Sequence, residues 1–292
     1  RVRRMNDTLK AALWMIGAIT AFTSMAVAGR VAASNLDTFE IMLYRSLVGL
    51  AIVLSVASFA GTLGQIRRDK LPLHIMRNAA HFTGQNLWFF AITVIPLAQV
   101  FALEFTTPIW VILLSPILIG ERITKIGAIA AAIGFIGILI VARPDPEAIN
   151  AGLISAALCA IAFALTAIAT RKLTQTETIT CIMFFLTAIQ ACLGLIFAGF
   201  DGDIALPNAQ TLPWVCLIGV AGLTAHFCMT KALSIAPASV VMPIDFARLP
   251  IIAVVGIMLY DEPVDALIFL GGALIFGANY LNIRFGQAKA AR

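Results

Sequence analysis

The 292-residue chain repeats itself at an offset of 141 residues, and both copies are built from long apolar runs. AFTSMAVAGR at 21–30 is answered by AFALTAIATR at 162–171. That pairs Ala21 with Ala162, Phe22 with Phe163, Ala26 with Ala167, Ala28 with Ala169 and Arg30 with Arg171. The same offset, without a gap, pairs Ile41-Met42 with Ile182-Met183, Pro96 with Pro237, Glu104-Phe105 with Asp245-Phe246, and Glu121 with Glu262. A repeat of this length has to be recognised before any fold is argued, because each copy must be explained by the same structure.

The medium follows from composition. Hydrophobic residues make up 61% of the chain and charged residues 12%, about half the charge of a soluble domain. Ten apolar segments fall at roughly 9–29, 38–60, 72–94, 97–119, 123–142, 150–170, 178–199, 211–234, 238–260 and 264–284. Most reach the ~18–20 residues that a bilayer-crossing helix needs. Short segments of alternating polarity, the mark of a membrane β-barrel, are absent. The basic start RVRRMNDTLK runs into the first span rather than into a short signal core. The fold class expected is therefore an all-α polytopic membrane protein with ten transmembrane helices.

Charge sets the expected orientation, since basic residues collect on cytoplasmic loops. With both termini inside, fifteen of the 20 Lys and Arg residues fall on the cytoplasmic side, only Arg30 and Arg143 fall outside, and Arg45, Arg77 and Arg248 lie within spans. The same bias explains the net charge of +5 without nucleic acid. Five spans per copy make the second copy enter the membrane from the opposite face. Residues 1–145 and 146–292 are thus expected as inverted five-helix repeats, N-in and C-in, forming one membrane unit. Such duplication is typical of secondary transporters. Small residues at Gly127, Ala130, Ala131 and Gly134, and at Gly271, Gly272, Ala273 and Gly277, suit close helix contact in lipid. The five cysteines include no CxxC pair and read as packing residues.

The segments AITVIPLAQVFALEFTTPIWVILLSPILIGERIT (91–124) and ALSIAPASVVMPIDFARLPIIAVVGIMLYDEPVD (232–265) occupy mated places in the two copies. In both position and pattern they resemble the EamA-type carriers of the drug/metabolite transporter superfamily, over nearly the whole chain. The second copy departs from the family's frequent Gly-Glu by reading Asp261-Glu262. The resemblance implies a secondary transporter of the bacterial inner membrane, a monomer or weak homodimer, that moves small amphipathic metabolites by alternating access and needs no cofactor. Its nearest likeness is to amino-acid exporters, with amino acids as solute. The alternative is an importer of a nucleoside- or sugar-like metabolite.

Polar groups inside spans are the functional candidates. Arg77, His81, Gln85 and Trp88 follow one another at spacings of four, four and three, on one helical face. His226 is the repeat mate of Gln85, and Gly222 that of His81. Trp14, His81, Gln85, Trp88 and His226 are expected to line a central cavity. Glu104 and Asp245, the latter with Arg248 three residues on, are expected to act in gating or coupling at opposite sides. Glu121 and Glu262 close their spans against the helix dipole and are expected to hold a basic residue or to cap an adjacent helix. The chain lacks HExxH, GxSxG and nucleotide-binding glycine loops, so neither an intramembrane enzyme nor an ATP-driven pump is expected. A membrane scaffold would have no use for paired midplane polar groups.

Overall fold

The structure, a computed structural model, describes residues 2–120, 123–142, 150–200, 202–235, 244–245, 247–263, 265–282 and 285. Among these residues it is all-helical. Eleven α-helices follow in order: α1 (Val2–Ala32), α2 (Thr38–Phe59), α3 (Leu71–Val94), α4 (Leu97–Glu104), α5 (Thr107–Ile119), α6 (Lys125–Ala142), α7 (Ala151–Leu173), α8 (Ile179–Ala198), α9 (Leu212–Ile235), α10 (Arg248–Tyr260) and α11 (Ala266–Leu281). Six stretches are long and apolar enough to cross a membrane: α1 from Leu9, α2, α7, α8, α9 to Met229, and Leu97–Leu118 across α4 and α5. Shorter apolar helices at α6, α10 and α11 complete the set. The third helix is long but carries Arg77, Asn78, His81, Gln85 and Asn86 on its buried side, which lowers its apolarity.

Local sequence explains where the helices begin. Asp37 and Glu40 form a reciprocal capping box at α2, satisfying two orphan N–H groups. Asn150 accepts from Leu153 N at α7, and Thr178 from Cys181 N at α8. Helices α5 and α10 end on repeat-mated residues, Gly120 (φ 69°) and Asp261 (φ 51°), both in the left-handed region. Such a residue closes a helix by turning its last carbonyls back on the chain.

Each of these eleven helices has its principal neighbour in the other half of the chain: α1 with α9, α3 with α7, α2 with α8, α6 with α11, α4 with α10, and α5 with α7. Exchanging the two halves turns the α1–α9 pair into the α7–α3 pair and leaves the α2–α8 and α6–α11 pairs as they are. Lipid gives apolar helices no reason to associate by burial alone, so close packing carries the contact. At α6–α11 a Cβ on Gly137 would stand 2.8 Å from the Gly271 carbonyl oxygen, and one on Gly271 2.7 Å from that of Gly137. Only glycines permit this approach. Large apolar side chains such as Ile117, Ile136, Met258 and Leu270 stay exposed on the outside, where lipid replaces water.

Candidate functional site

The site begins at a break. The run 97–119 is continuously apolar, yet the helix stops at Glu104 and restarts at Thr107. The second half restarts at Arg248, the repeat mate of Thr107. A broken helix frees backbone groups that lipid cannot satisfy. Here Asn279 of α11 donates from Nδ2 to the Phe105 carbonyl at 2.9 Å, and Thr106 and Thr107 hydroxyls bond the Leu103 and Glu104 carbonyls.

A cavity of about 440 Å³ opens beside this break. It runs from mid-bundle toward the end where α7, α9 and α11 finish, since Thr170, Met229 and Tyr280 line that part. Phe22, Phe105, Phe163, Phe276 and Tyr280 supply aromatic wall, and His81, Gln85, His226 and Arg77 supply polar wall. His81 and His226 lie with ring centroids 6.0 Å apart, and Phe22 meets His226 edge-on at 5.8 Å.

Charge concentrates on Arg248. Its Nη2 lies 2.8 Å from Asp245 Oδ2 and 3.5 Å from Glu104 Oε1. Its guanidinium carbon stands 4.5, 4.9 and 5.3 Å from the ring centres of Phe22, Phe105 and Phe101. Arginine suits this place because its flat, weakly hydrated cation bonds carboxylates while stacking on rings. Trp88 Nε1 donates to Glu104 Oε2 at 2.8 Å and fixes that carboxylate from behind.

The end of the bundle opposite this opening is tied shut. Arg30 Nη1 pairs with Glu262 Oε1 at 2.5 Å, Nη2 donates to the Ile95 carbonyl at 2.8 Å, and Nε donates to the Ile92 carbonyl. The guanidinium also covers the Tyr260 ring at 4.5 Å. Glu262 Oε2 accepts from Leu97 N at 3.0 Å, so it caps the first turn of α4. Thus α1, α3, α4 and the end of α10 meet in one knot. Both roles expected of Glu262 occur together; Glu121 lies outside the described residues.

His81, Gln85, His226, Glu104, Asp245 and Arg248 all line the one cavity. Two other expected residues do not. Trp14 is 38% exposed and packs edge-on against Phe227. It precedes Phe22 by 8 residues, which turns it about 80° off the cavity face of α1. Trp88 is fully enclosed and acts on the cavity only through Glu104. Nor do Glu104 and Asp245 stand at opposite faces. Both carboxylates reach the one Arg248 guanidinium, so they stand together beside the cavity. Sequence reasoning did not single out the phenylalanines of that wall, although the repeat had already paired Phe22 with Phe163. Gly222, the mate of His81, leaves room for Arg45, whose Nη2 would lie 3.0 Å from a Cβ there.

A helical membrane bundle with a solute-sized cavity between broken helices defines the class of small-molecule transporters. The chain belongs to the EamA-like transporter family, which matches it twice, at residues 9–143 and 150–284. It is 29% identical over 276 residues to a riboflavin transporter of Brucella anthropi, covering 92% of this chain and 97% of that protein. It is 26% identical to a riboflavin transporter of Vibrio cholerae, covering 92% and 91%, and 23% identical to an S-adenosylmethionine uptake transporter of Rickettsia felis, covering 98% and 97%. A solved crystal structure superposes with a TM-score of 0.66 at 17% identity, covering 97% of this chain and 98% of that one, a likeness of fold. The chain is a transporter rather than an enzyme, a multi-pass protein of the bacterial inner membrane.

Proposed function

We propose that the chain imports a nucleoside-like heteroaromatic metabolite of the riboflavin kind by alternating access. The observation that carries this is the cavity wall. Five aromatic side chains and two imidazoles surround about 440 Å³, a size and lining suited to a flat ring system with a polar tail. The charges in the lining balance, with Arg77 and Arg248 against Glu104 and Asp245, which favours a solute of no net charge. The name of the Rickettsia felis relative supports uptake, and those of the riboflavin relatives a flavin-type solute, over the amino-acid export that the resemblance implied.

In this reading ten helices cross the bilayer with both termini in the cytoplasm, and residues 1–145 and 146–292 are inverted repeats. The symmetric pairing of helices supports the second point and the basic loops the first. The cavity then faces the cytoplasm, and the Arg30–Glu262 knot seals the outside. Rocking of the bundle breaks that knot and closes the opposite end. A second reading, uptake of S-adenosylmethionine, draws support from two carboxylates sharing one guanidinium at Arg248, a place for a sulfonium.

Proteoliposomes holding the purified chain test this without ATP. Labelled riboflavin is expected to accumulate with time and to be competed by unlabelled riboflavin. S-adenosylmethionine in its place selects the second reading. Flux of amino acids alone, or of none of these, ends both.

A further inference from the structure

Three guanidiniums lie buried inside the bundle, from Arg45, Arg77 and Arg248, against two carboxylates beside the cavity, Glu104 and Asp245. Both carboxylates are committed to Arg248. Among the described residues no carboxylate reaches Arg45 or Arg77. Arg77 is 6% exposed and bonds only neutral oxygens, Thr170 Oγ1 at 3.1 Å and Asn78 Oδ1 at 2.8 Å. Asn78 is held for that task, since its own amide donates to the His74 and Phe185 carbonyls. Arg45 donates to Gln85 Oε1, which leaves the Gln85 amide as a donor. His81, 3% exposed, has neither ring nitrogen bonded. A buried charge or polar group without a partner is costly, and this cluster lies along the wall of a cavity built to receive a solute.

Arg77, His81 and Gln85 succeed each other by four residues on α3, so their donors form a ladder about 12 Å long. The carboxylates stand apart from it, on the broken helices. The lining, with Arg77 and Arg248 against Glu104 and Asp245, is neutral in sum and polarised in layout, and Arg45 adds a positive charge behind Gln85.

We infer that the α3 ladder, led by Arg77 and His81, is the subsite for the solute's negatively polarised oxygens. That chemistry is met by the dioxo edge of a flavin-type ring, by a phosphate or by a carboxylate. The assignment rests on the cavity being the transport site. It orients the solute, with its oxygen acceptors toward α3 and its remaining polar or cationic part toward Glu104 and Asp245.

Binding to the full-length protein in detergent tests it, with riboflavin, riboflavin 5′-phosphate and S-adenosylmethionine as probes. The three separate the dioxo edge, the phosphate and the carboxylate. For whichever probe binds, Arg77→Gln is expected to weaken affinity about 10- to 100-fold, the worth of a charge-assisted hydrogen bond. Arg77→Lys is expected to restore part of it, and His81→Phe to cost less than Arg77→Gln. Thermal unfolding of each variant separates lost binding from lost fold. Unchanged affinity in a folded Arg77→Gln protein overturns the subsite. Failure of all three probes on the unmutated protein sinks the proposed solute class instead. The subsite is then decided by phenylglyoxal labelling of Arg77, mapped by mass spectrometry. Millimolar inorganic phosphate or acetate is expected to protect it where chloride does not, and equal labelling in all three overturns it.

Discussion

Asp261 stands where the first half has Gly120, and both residues hold the left-handed backbone that ends their helices, at φ 51° and 69°. The family's Gly-Glu pattern thus has a conformational reason. A side chain in this region costs about 1–2 kcal/mol, somewhat less for Asp. Asp261→Gly is expected to stabilise the protein by about 0.5–1 kcal/mol, seen as a higher midpoint of thermal unfolding in detergent. A lower midpoint would show that the Asp261 side chain holds something in place.

Asn279 answers for the break in the first half. Asn279→Ala leaves the buried Phe105 carbonyl without its donor, at an expected cost of about 1–3 kcal/mol. Thermal unfolding measures it. A loss no greater than that of an alanine exchange on the lipid face would mean that another donor takes the carbonyl.

The knot at Arg30 and Glu262 is largely shielded, with side chains 14% and 12% exposed. Removing one partner strands the other, so Arg30→Ala and Glu262→Ala are each expected to cost about 3 kcal/mol. The double variant is expected to cost less than their sum, because neither charge is then orphaned. A double-mutant cycle on thermal stability checks this, and strictly additive losses would mean no coupling.

Arg248 keeps two carboxylates apart. Arg248→Gln is expected to lower transport about 100-fold, as Glu104 and Asp245 then face each other with no cation between them. Adding Glu104→Gln in the same chain removes one charge and is expected to recover part of the rate in the liposome assay. If the double variant is as slow as the single one, Arg248 serves the solute itself rather than the acids.

Much of the frame was legible because duplication and apolar length are properties of the chain as a string. Phe22 and Phe163, Arg30 and Arg171, and Glu104 and Asp245 declare the repeat without any structure. The break at Phe105–Thr106 was not legible, because hydropathy is continuous across it and Pro108 is as well suited to a first helical turn as to a kink. That one omission misplaced both acids, since depth in an unbroken helix is counted from its ends. Trp14 was misassigned for a different reason. A tryptophan fits lipid and cavity alike, and α1 has too few polar residues to mark which face turns inward. Arg45 was seen as a charge within a span, but only its contact with Gln85 and the space at Gly222 show what it does.

The exchange of partners between halves governs how the protein must be made. While the ribosome delivers α1 to α6, none of these helices has yet met its principal neighbour. Each waits in the bilayer with its backbone bonds closed within itself, except at the α4–α5 break, where the Phe105 carbonyl has no Asn279 donor until α11 arrives. Pairing starts when α7 reaches α3, continues with α8 and α9, and ends when α11 docks on α6 at Gly137 and Gly271. A chain truncated before Ala266 therefore lacks more than its last helix, because α6 is left facing lipid with a groove cut for a partner that never arrives.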